Sequence, residues 1–443
     1  MQIKTLGSVC SGIEAATVSF SQYGIKTLWV SEIAEFQSLL LKEKYPEVPN
    51  LGNMIDIPKM IDSEKIAIPD MICGGTPCQA FSLIGYRKGL EDERGNLTLK
   101  YIDIIKSNDA IRLSKGLPRT VMLWENVEGV LTDKTNAFGC FISYLAGLNT
   151  AIEKEKWPTA GVVYGKDRNV AWRVMDAKFF GVPQQRKRLY VMAGDTSFHP
   201  EDILFETGDI KYKNKQNTKL TFKKNGHTFE VFRNYTDCLY AAYGTKWNGN
   251  AAAYNGSLYV HQDDDIRRLS PIECERPMGF PDDYTNIPNA KLTSRYQGVG
   301  NSWAVPVIKW IGSRISDEHK RSDIHTILRG SRYAELYSQK IQNATIYLFG
   351  KDYNDGTLNC STTPCDVVYG NIQDVIEYCP ISQITISPVG CGGILRRKKE
   401  RNLKMNERLE IVMQEITNRM SPDEIERKSR VQPRGRFACS LED

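Results

Sequence analysis

At 443 residues, with 41% hydrophobic and 25% charged residues, the chain has the composition of a folded protein of two or three domains, which excludes disordered, collagen-like and disulfide-scaffold classes. No stretch reaches the ~18 consecutive apolar residues of a membrane span, and MQIKTLGSVC has none of the charged and apolar regions of a signal peptide, so a cytoplasmic protein with no membrane partner is expected. A formal net charge of +5 is compatible with nucleic acid without requiring it.

Short apolar runs at 4–9, 27–30, 71–73, 121–124 and 189–193 predict buried strands. Amphipathic stretches at 34–44, 97–106 and 138–148 predict helices between them, with Leu97, Tyr101, Ile104 and Ile105 sharing one face. Strands alternating with helices predict an α/β fold whose mostly parallel sheet is covered on both faces, with ligands bound beyond the carboxyl ends of its strands. The alternation stops after Asp195. From about 196 to 268 the chain is rich in Lys, Asn, Gly and Tyr, and Lys211, Lys213, Lys215, Lys219, Lys223 and Lys224 occur without an intervening acid. Such a run is ordinarily a solvated face; interleaved with Tyr235, Tyr240, Tyr243, Trp247 and Tyr254 it also reads as a nucleic-acid surface. Regular structure resumes at 303–315, and the rest reads as a separate region with a basic RRKKER run and a helix at 405–420.

Eleven cysteines, an odd number, are expected to be reduced. Cys360, Cys365, Cys379 and Cys391 lack the tight pairing of a zinc site, and no metal is expected. Cys78 is different. It follows Gly74, Gly75 and Pro77 at a strand end, where glycines admit close approach of a ligand and proline fixes the chain direction. A thiol after a strand is as consistent with packing as with catalysis, but Glu125 ends a second strand and Arg186 and Arg188 open a third. Thiol, acid and guanidinium at three strand ends make a constellation. The first loop, Gly7 to Glu14, is not a GxGxxG turn, which argues against a pyrophosphate cradle. Glu32 ends the second strand, where a carboxylate suits a ribose diol. A cofactor with a ribose and no phosphates meets both conditions, and S-adenosyl-L-methionine is one.

With these residues in order, SVCSGIE, Glu32, GGTPCQAFS, DERGNL, ENVEGV, FFGVPQQRKRLY, RRLSPIECERPMGF and YQGVGNSWAVPV, the chain resembles the DNA (cytosine-5) methyltransferases from about Lys4 to Arg314. Its short central region and long tail look most like phage or prophage members. The resemblance implies a Rossmann-like methyltransferase fold, S-adenosyl-L-methionine as cofactor, duplex DNA as partner, and a monomer on DNA. It assigns Cys78 to attack on cytosine C6, Glu125 to N3 and the exocyclic amine, Arg188 to O2 and Arg186 to positioning the loop after Cys78. It places Cys10, Ser11, Gly12 and Ile13 around the methionine part, Glu32 on the ribose, Asn53 and Met54 near the adenine, Pro77 and Leu97 against the adenosine or sulfonium, and Asn301 and Ser302 at the pocket's closure. Asn53 stands where an aspartate is usual, and Glu14 and Ala15 where glycines are common. The implied division is a discontinuous catalytic domain, 1–195 with 291–316, a target-recognition domain, 196–290, and a C-terminal extension, 317–443. Gln79 to Arg94 reads as a closing loop, and Trp247, Asn248, Asn250, Tyr254 and Asn255 as candidate base readers. A tRNA-directed enzyme and a DNA-binding protein without catalysis are the alternatives.

Overall fold

The computed structural model describes residues 2–76, 97–246 and 252–428. Nine strands form the central sheet: β1 (Thr5–Val9), β2 (Lys26–Ser31), β3 (Met71–Gly74), β4 (Val121–Asn126), β5 (Ala160–Tyr164), β6 (Asn169–Asp176) and β7 (Lys187–Gly194), then β14 (Ser338–Ile341) and β15 (Ala344–Phe349) from far along the chain. Their order is β14-β15-β5-β6-β7-β4-β3-β1-β2. Between them in sequence lie β8 (Glu206–Thr207), β9 (Lys211–Tyr212), β10 (Thr221–Lys224), β11 (His227–Val231), β12 (Tyr259–Gln262) and β13 (Asp265–Arg268); β16 (Leu358–Asn359) and β17 (Asp366–Val367) follow.

The expected strands and helices are present, but the sheet is not mostly parallel. β2, β1, β3 and β4 pair in parallel, whereas every ladder from β4 through β7, β6, β5 and β15 to β14 is antiparallel. The physical reason lies in the connections. Helices carry the chain back across the first half, while β5 to β6 turns directly and β6 to β7 returns through a short 3-10 segment, links that join antiparallel neighbours.

Both faces are covered, as the period of two along each strand requires. Leu6, Met71, Cys73, Val121, Leu123, Tyr190 and Met192 pack with Phe20, Val307, Ile308 and Ile311 on one face. Ile72, Met122, Trp124, Leu189 and Val191 pack on the other with Tyr101, Ile104 and Ile105 of the helix Leu97–Ser114 and with Phe138, Phe141 and Ile142 of the helix Ala137–Leu145.

The region after 316 is not separate. β15 pairs along the whole of β5, and β16 and β17 pair with β8 and β9. Arg173 on β6, wholly buried, donates to the carbonyls of Ser361 (2.7 Å) and Thr363 (2.9 Å). Further on, Ile386, Ile394, Leu409, Val412 and Met413 bury against Tyr259 and Ile266 of the small sheet β10-β11-β12-β13 and against Phe232 and Tyr254 of the connection between β11 and β12. Arg408 pairs bidentately with Glu230 at 2.7 and 2.9 Å. Amphipathic tail segments thus find their apolar partners in both bodies.

Candidate active site

Three strands end together at one edge of the sheet. Val9, Gly74 and Trp124 lie abreast in the parallel ladders, so Cys10, Gly75 and Glu125 form the next row. β7 runs the opposite way and begins at that edge. Asn126 pairs with Leu189, which brings Arg188 beside Glu125.

Glycines permit this close approach. A Cβ on Gly74 would lie 2.5 Å from Val9 Cγ2, and one on Gly75 would lie 2.8 Å from Trp303 Nε1 and 3.4 Å from Glu125 Oε2. Just beyond, the Asn126 side chain donates to the Thr76 carbonyl at 3.2 Å and the Trp124 indole donates to the Thr76 hydroxyl at 2.9 Å. The backbone leading to Pro77 and Cys78 is therefore fastened to β4. Pro77, Cys78 and the loop Gln79 to Arg94 lie outside the described residues, as do Trp247, Asn248 and Asn250.

Glu125 is 8% exposed. Arg188 Nε lies 3.1 Å from its Oε1, yet the N–H is not aimed for a hydrogen bond, and Oε1 has no donor among the described residues. Burial pushes this carboxyl above its ordinary range, and the charges of Arg188 and Arg186 pull against that shift. Such a group gains a proton more readily than an exposed glutamate. Arg188 also donates to the Lys187 carbonyl and to Cys238 Sγ. Arg186, 3% exposed, shares Cys238 Sγ, at 3.0 Å, and adds the carbonyls of Leu239 (3.1 Å), Gly300 (3.3 Å) and Ser302 (2.6 Å). It ties the connection between β11 and β12 and the segment 300–302 to β7.

Beside Glu125 lies a pocket lined by Cys10, Ser11, Gly12, Glu14, Asn301, Ser302 and Trp303 among others. Its described lining holds two carboxyl groups, Glu14 and Glu125, and no lysine or arginine to attract a phosphate. Cys10, Gly12 and Glu14 have left-handed backbones, with φ of 49°, 56° and 63°. Glu14, standing where glycine is common, offsets that conformation by capping the helix Ala15–Phe20. Its side chain accepts from Thr17 N (3.1 Å), Thr17 Oγ1 (2.8 Å) and Ser8 Oγ (2.9 Å). Burial of Glu14 raises its pKa.

Glu32 is fixed by backbone donors, Oε2 accepting from Gly12 N at 2.8 Å and Oε1 from Ile33 N and Ala34 N at 2.9 and 2.8 Å. Three donors leave a carboxylate capacity for about one more, on the order of four in all. Burial, helped by the Glu32 charge, pushes the Cys10 thiol up to about 12. Met54 touches Cys10, Sδ to Sγ 3.6 Å, and Asn53 is exposed, its amide oxygen capping Ile55 N at 3.2 Å. Ile13 is wholly buried and its carbonyl accepts from Tyr284 Oη at 2.8 Å. Leu97 opens its helix, half-buried against the core. Sequence reasoning missed Thr76, Asn126, Trp303 and Cys238. Asn126 alone had a visible signal, its place beside Glu125.

The comparisons agree with this edge. A family model described as C-5 cytosine-specific DNA methylase matches residues 5–263 and 209–317. The chain is 30% identical to the "DNA N-6-adenine-methyltransferase" of Escherichia phage P1 across 87% of this chain and 68% of that protein. It is 28% identical to "Type II methyltransferase M.BsuFI" of Bacillus subtilis across 69% and 71% of the two chains, and 29% identical to "Type II methyltransferase M.MspI" of a Moraxella species across 69% of each. No helix among the described residues is long and apolar enough to cross a membrane. A match that runs from β1 through the segment closing the pocket at Ser302 takes in the whole of this edge, and the chain belongs to the C-5 cytosine-specific DNA methylases, S-adenosyl-L-methionine-dependent DNA (cytosine-5) methyltransferases.

Proposed function

We propose that Cys78 adds as a thiolate to C6 of a cytosine swung out of duplex DNA, with Glu125 and Arg188 holding the base. Cytosine C5 is a poor nucleophile, and a sulfur–carbon bond at C6 makes it enamine-like. The electron pair displaced by that bond is drawn toward N3, where protonated Glu125 donates; Arg188 holds O2. Cys10, Ser11, Gly12 and Ile13, Glu32, Asn53 and Met54, Pro77 and Leu97, and Asn301 and Ser302 would hold S-adenosyl-L-methionine, which would supply the methyl group to C5 and leave as the thioether S-adenosyl-L-homocysteine. Loss of the C5 proton and expulsion of the thiolate then regenerate Cys78. A target stacked in a duplex has C6 out of reach, so the base leaves the helix first.

The observation that carries this reading is Glu125: buried, with a raised pKa, beside Arg188, and in contact range of Gly75, three residues before Cys78 in sequence. We assign catalysis to 1–195 with 291–316, target recognition to 196–290, and support of both to 317–443, in an enzyme acting as a monomer in the cytoplasm.

Nucleoside analysis of DNA from cells expressing the chain tests the acceptor. 5-Methylcytosine that disappears in Cys78→Ser is expected. The name of the phage P1 relative makes adenine N6 the competing acceptor. An exocyclic amine attacks through its own lone pair and needs no thiol, so N6-methyladenine that persists in Cys78→Ser overturns the proposal. Methyl incorporation into tRNA but not DNA would reject the choice of substrate.

A further inference from the structure

At the sheet edge opposite the active site, Tyr164 ends β5, Asn169 begins β6 and Gly194 ends β7. Beyond them sits a cluster that the methyl-transfer chemistry does not use. Glu201, in the helix Pro200–Leu204, is wholly buried. His199 precedes that helix, and His325 belongs to the helix Ile324–Arg329 of the tail. Nδ1 of His199 lies 3.3 Å from Glu201 Oε1 and Nδ1 of His325 lies 3.2 Å from the same oxygen.

We propose that His199, Glu201 and His325 bind a divalent transition-metal ion of the zinc class, which clips the tail to the catalytic body. All three ligand atoms lie within 4.8 Å of one another. Ligands at ~2.0–2.2 Å from a tetrahedral ion stand about 3.3–3.6 Å apart, the spacing seen here from both imidazoles to Oε1. Two neutral imidazoles and one carboxylate form a borderline donor set that favours zinc and its neighbours over calcium or magnesium.

The hydrogen bonding around Glu201 is lopsided. Tyr164 Oη donates to Oε1 at 2.8 Å, while Oε2 is buried and has no partner among the described residues. His199 Nδ1 is likewise buried without an aligned partner. Among the described residues the ion pairs to Glu201 come from these two histidines alone, so no lysine or arginine takes the cation's place. Tyr164 Oη also lies 3.3 Å from His325 Nδ1, and His325 Nδ1 itself hydrogen-bonds Glu201 Oε1 at 3.2 Å, so an ion that binds here replaces these contacts on the same ligand atoms. The His199 side chain is 31% exposed, which leaves an entry path and room for water as a further ligand.

Full-length enzyme stripped with EDTA and titrated with Zn²⁺ is expected to take up one equivalent tightly and to melt at a higher temperature as Zn²⁺ is added. His199→Ala and His325→Ala should each weaken binding by about 10- to 100-fold, the usual scale for a change at a metal site. Co²⁺ should give a d–d spectrum without a thiolate charge-transfer band, which separates this site from binding by the eleven cysteines. His325→Asn, which keeps a polar side chain in the gap, guards against a variant that fails to fold. It should fold, with circular dichroism like that of the stripped wild type, and lose the metal-dependent rise in melting temperature. An unchanged melting temperature in the wild type with Zn²⁺, full affinity in a folded His199→Ala/His325→Ala protein, or a thiolate charge-transfer band would each overturn the proposal.

Discussion

The two halves of the central sheet are built on different plans. β2, β1, β3 and β4 run parallel, so their carboxyl ends collect at one edge and their crossover helices cover the faces. That edge is left to loops, and the pocket and Glu125 lie there. From β7 to β14 the strands are antiparallel, so each edge receives alternate ends, and the outer two strands come from the tail. The contrast separates chemistry from support: the parallel half presents reactive groups, and the antiparallel half holds β7, with Arg186 and Arg188, against them.

If that division is right, damage to each half should have its own signature. The largest effect is expected from ending the chain after Glu318. This removes β14 and β15, exposes the length of β5 and deletes the carbonyls that satisfy the buried Arg173 guanidinium, so expression should give no soluble, cooperatively melting protein. A folded fragment would show that the antiparallel half stands without the tail. Next, Cys78→Ser should bring methyl transfer to background while its melting temperature stays that of the wild type, since a hydroxyl is a far weaker nucleophile than a thiolate. Glu125→Gln should slow single-turnover methyl transfer by roughly 100-fold or more.

The sign of the pH dependence at Glu125 follows from its raised pKa. The carboxyl is protonated at low pH and loses its proton as pH rises through the raised value. Its acid contribution should therefore decline on the alkaline side, and Glu125→Gln should erase that decline in the pH–rate profile. In the other half, Phe349→Ala on β15 should cost about 3–5 kcal/mol in urea unfolding, the range for a buried phenylalanine, with little change in rate per folded molecule. The smallest effect is expected from Arg408→Ala. Its pair with Glu230 is half open to solvent, and the loss should be within about 1 kcal/mol.

The parallel half was legible in the sequence because each of its strands is a short apolar run followed by a turn or helix signal. Cys10, Glu32, Gly75 and Glu125 could be placed at strand ends from that pattern alone. The antiparallel half was less so. Its β5 and β6 do not alternate with helices, and no local signal says that 344–349, far along the chain from Tyr164, pairs with β5. Long-range pairing is set by complementary faces that a single sequence does not display. The same limit applies to the site. Glu125 and Arg188 stand out as charges at strand ends, whereas Thr76, Trp303 and Cys238 matter through contacts between distant segments. Arg186 was expected to position the loop after Cys78, which lies outside the described residues; its partners among the described residues are Cys238, Leu239, Gly300 and Ser302.

That set of partners has a thermodynamic consequence. One guanidinium grips both the connection between β11 and β12 at Leu239 and the wall of the pocket at Ser302. A shift of either segment changes the hydrogen bonds that Arg186 can offer the other. Whatever factor the methyl donor adds to the affinity for DNA, DNA must add to the affinity for the donor. If the proposed cofactor pocket and recognition region are both held by Arg186, the grip on DNA becomes a gauge of whether the enzyme is loaded.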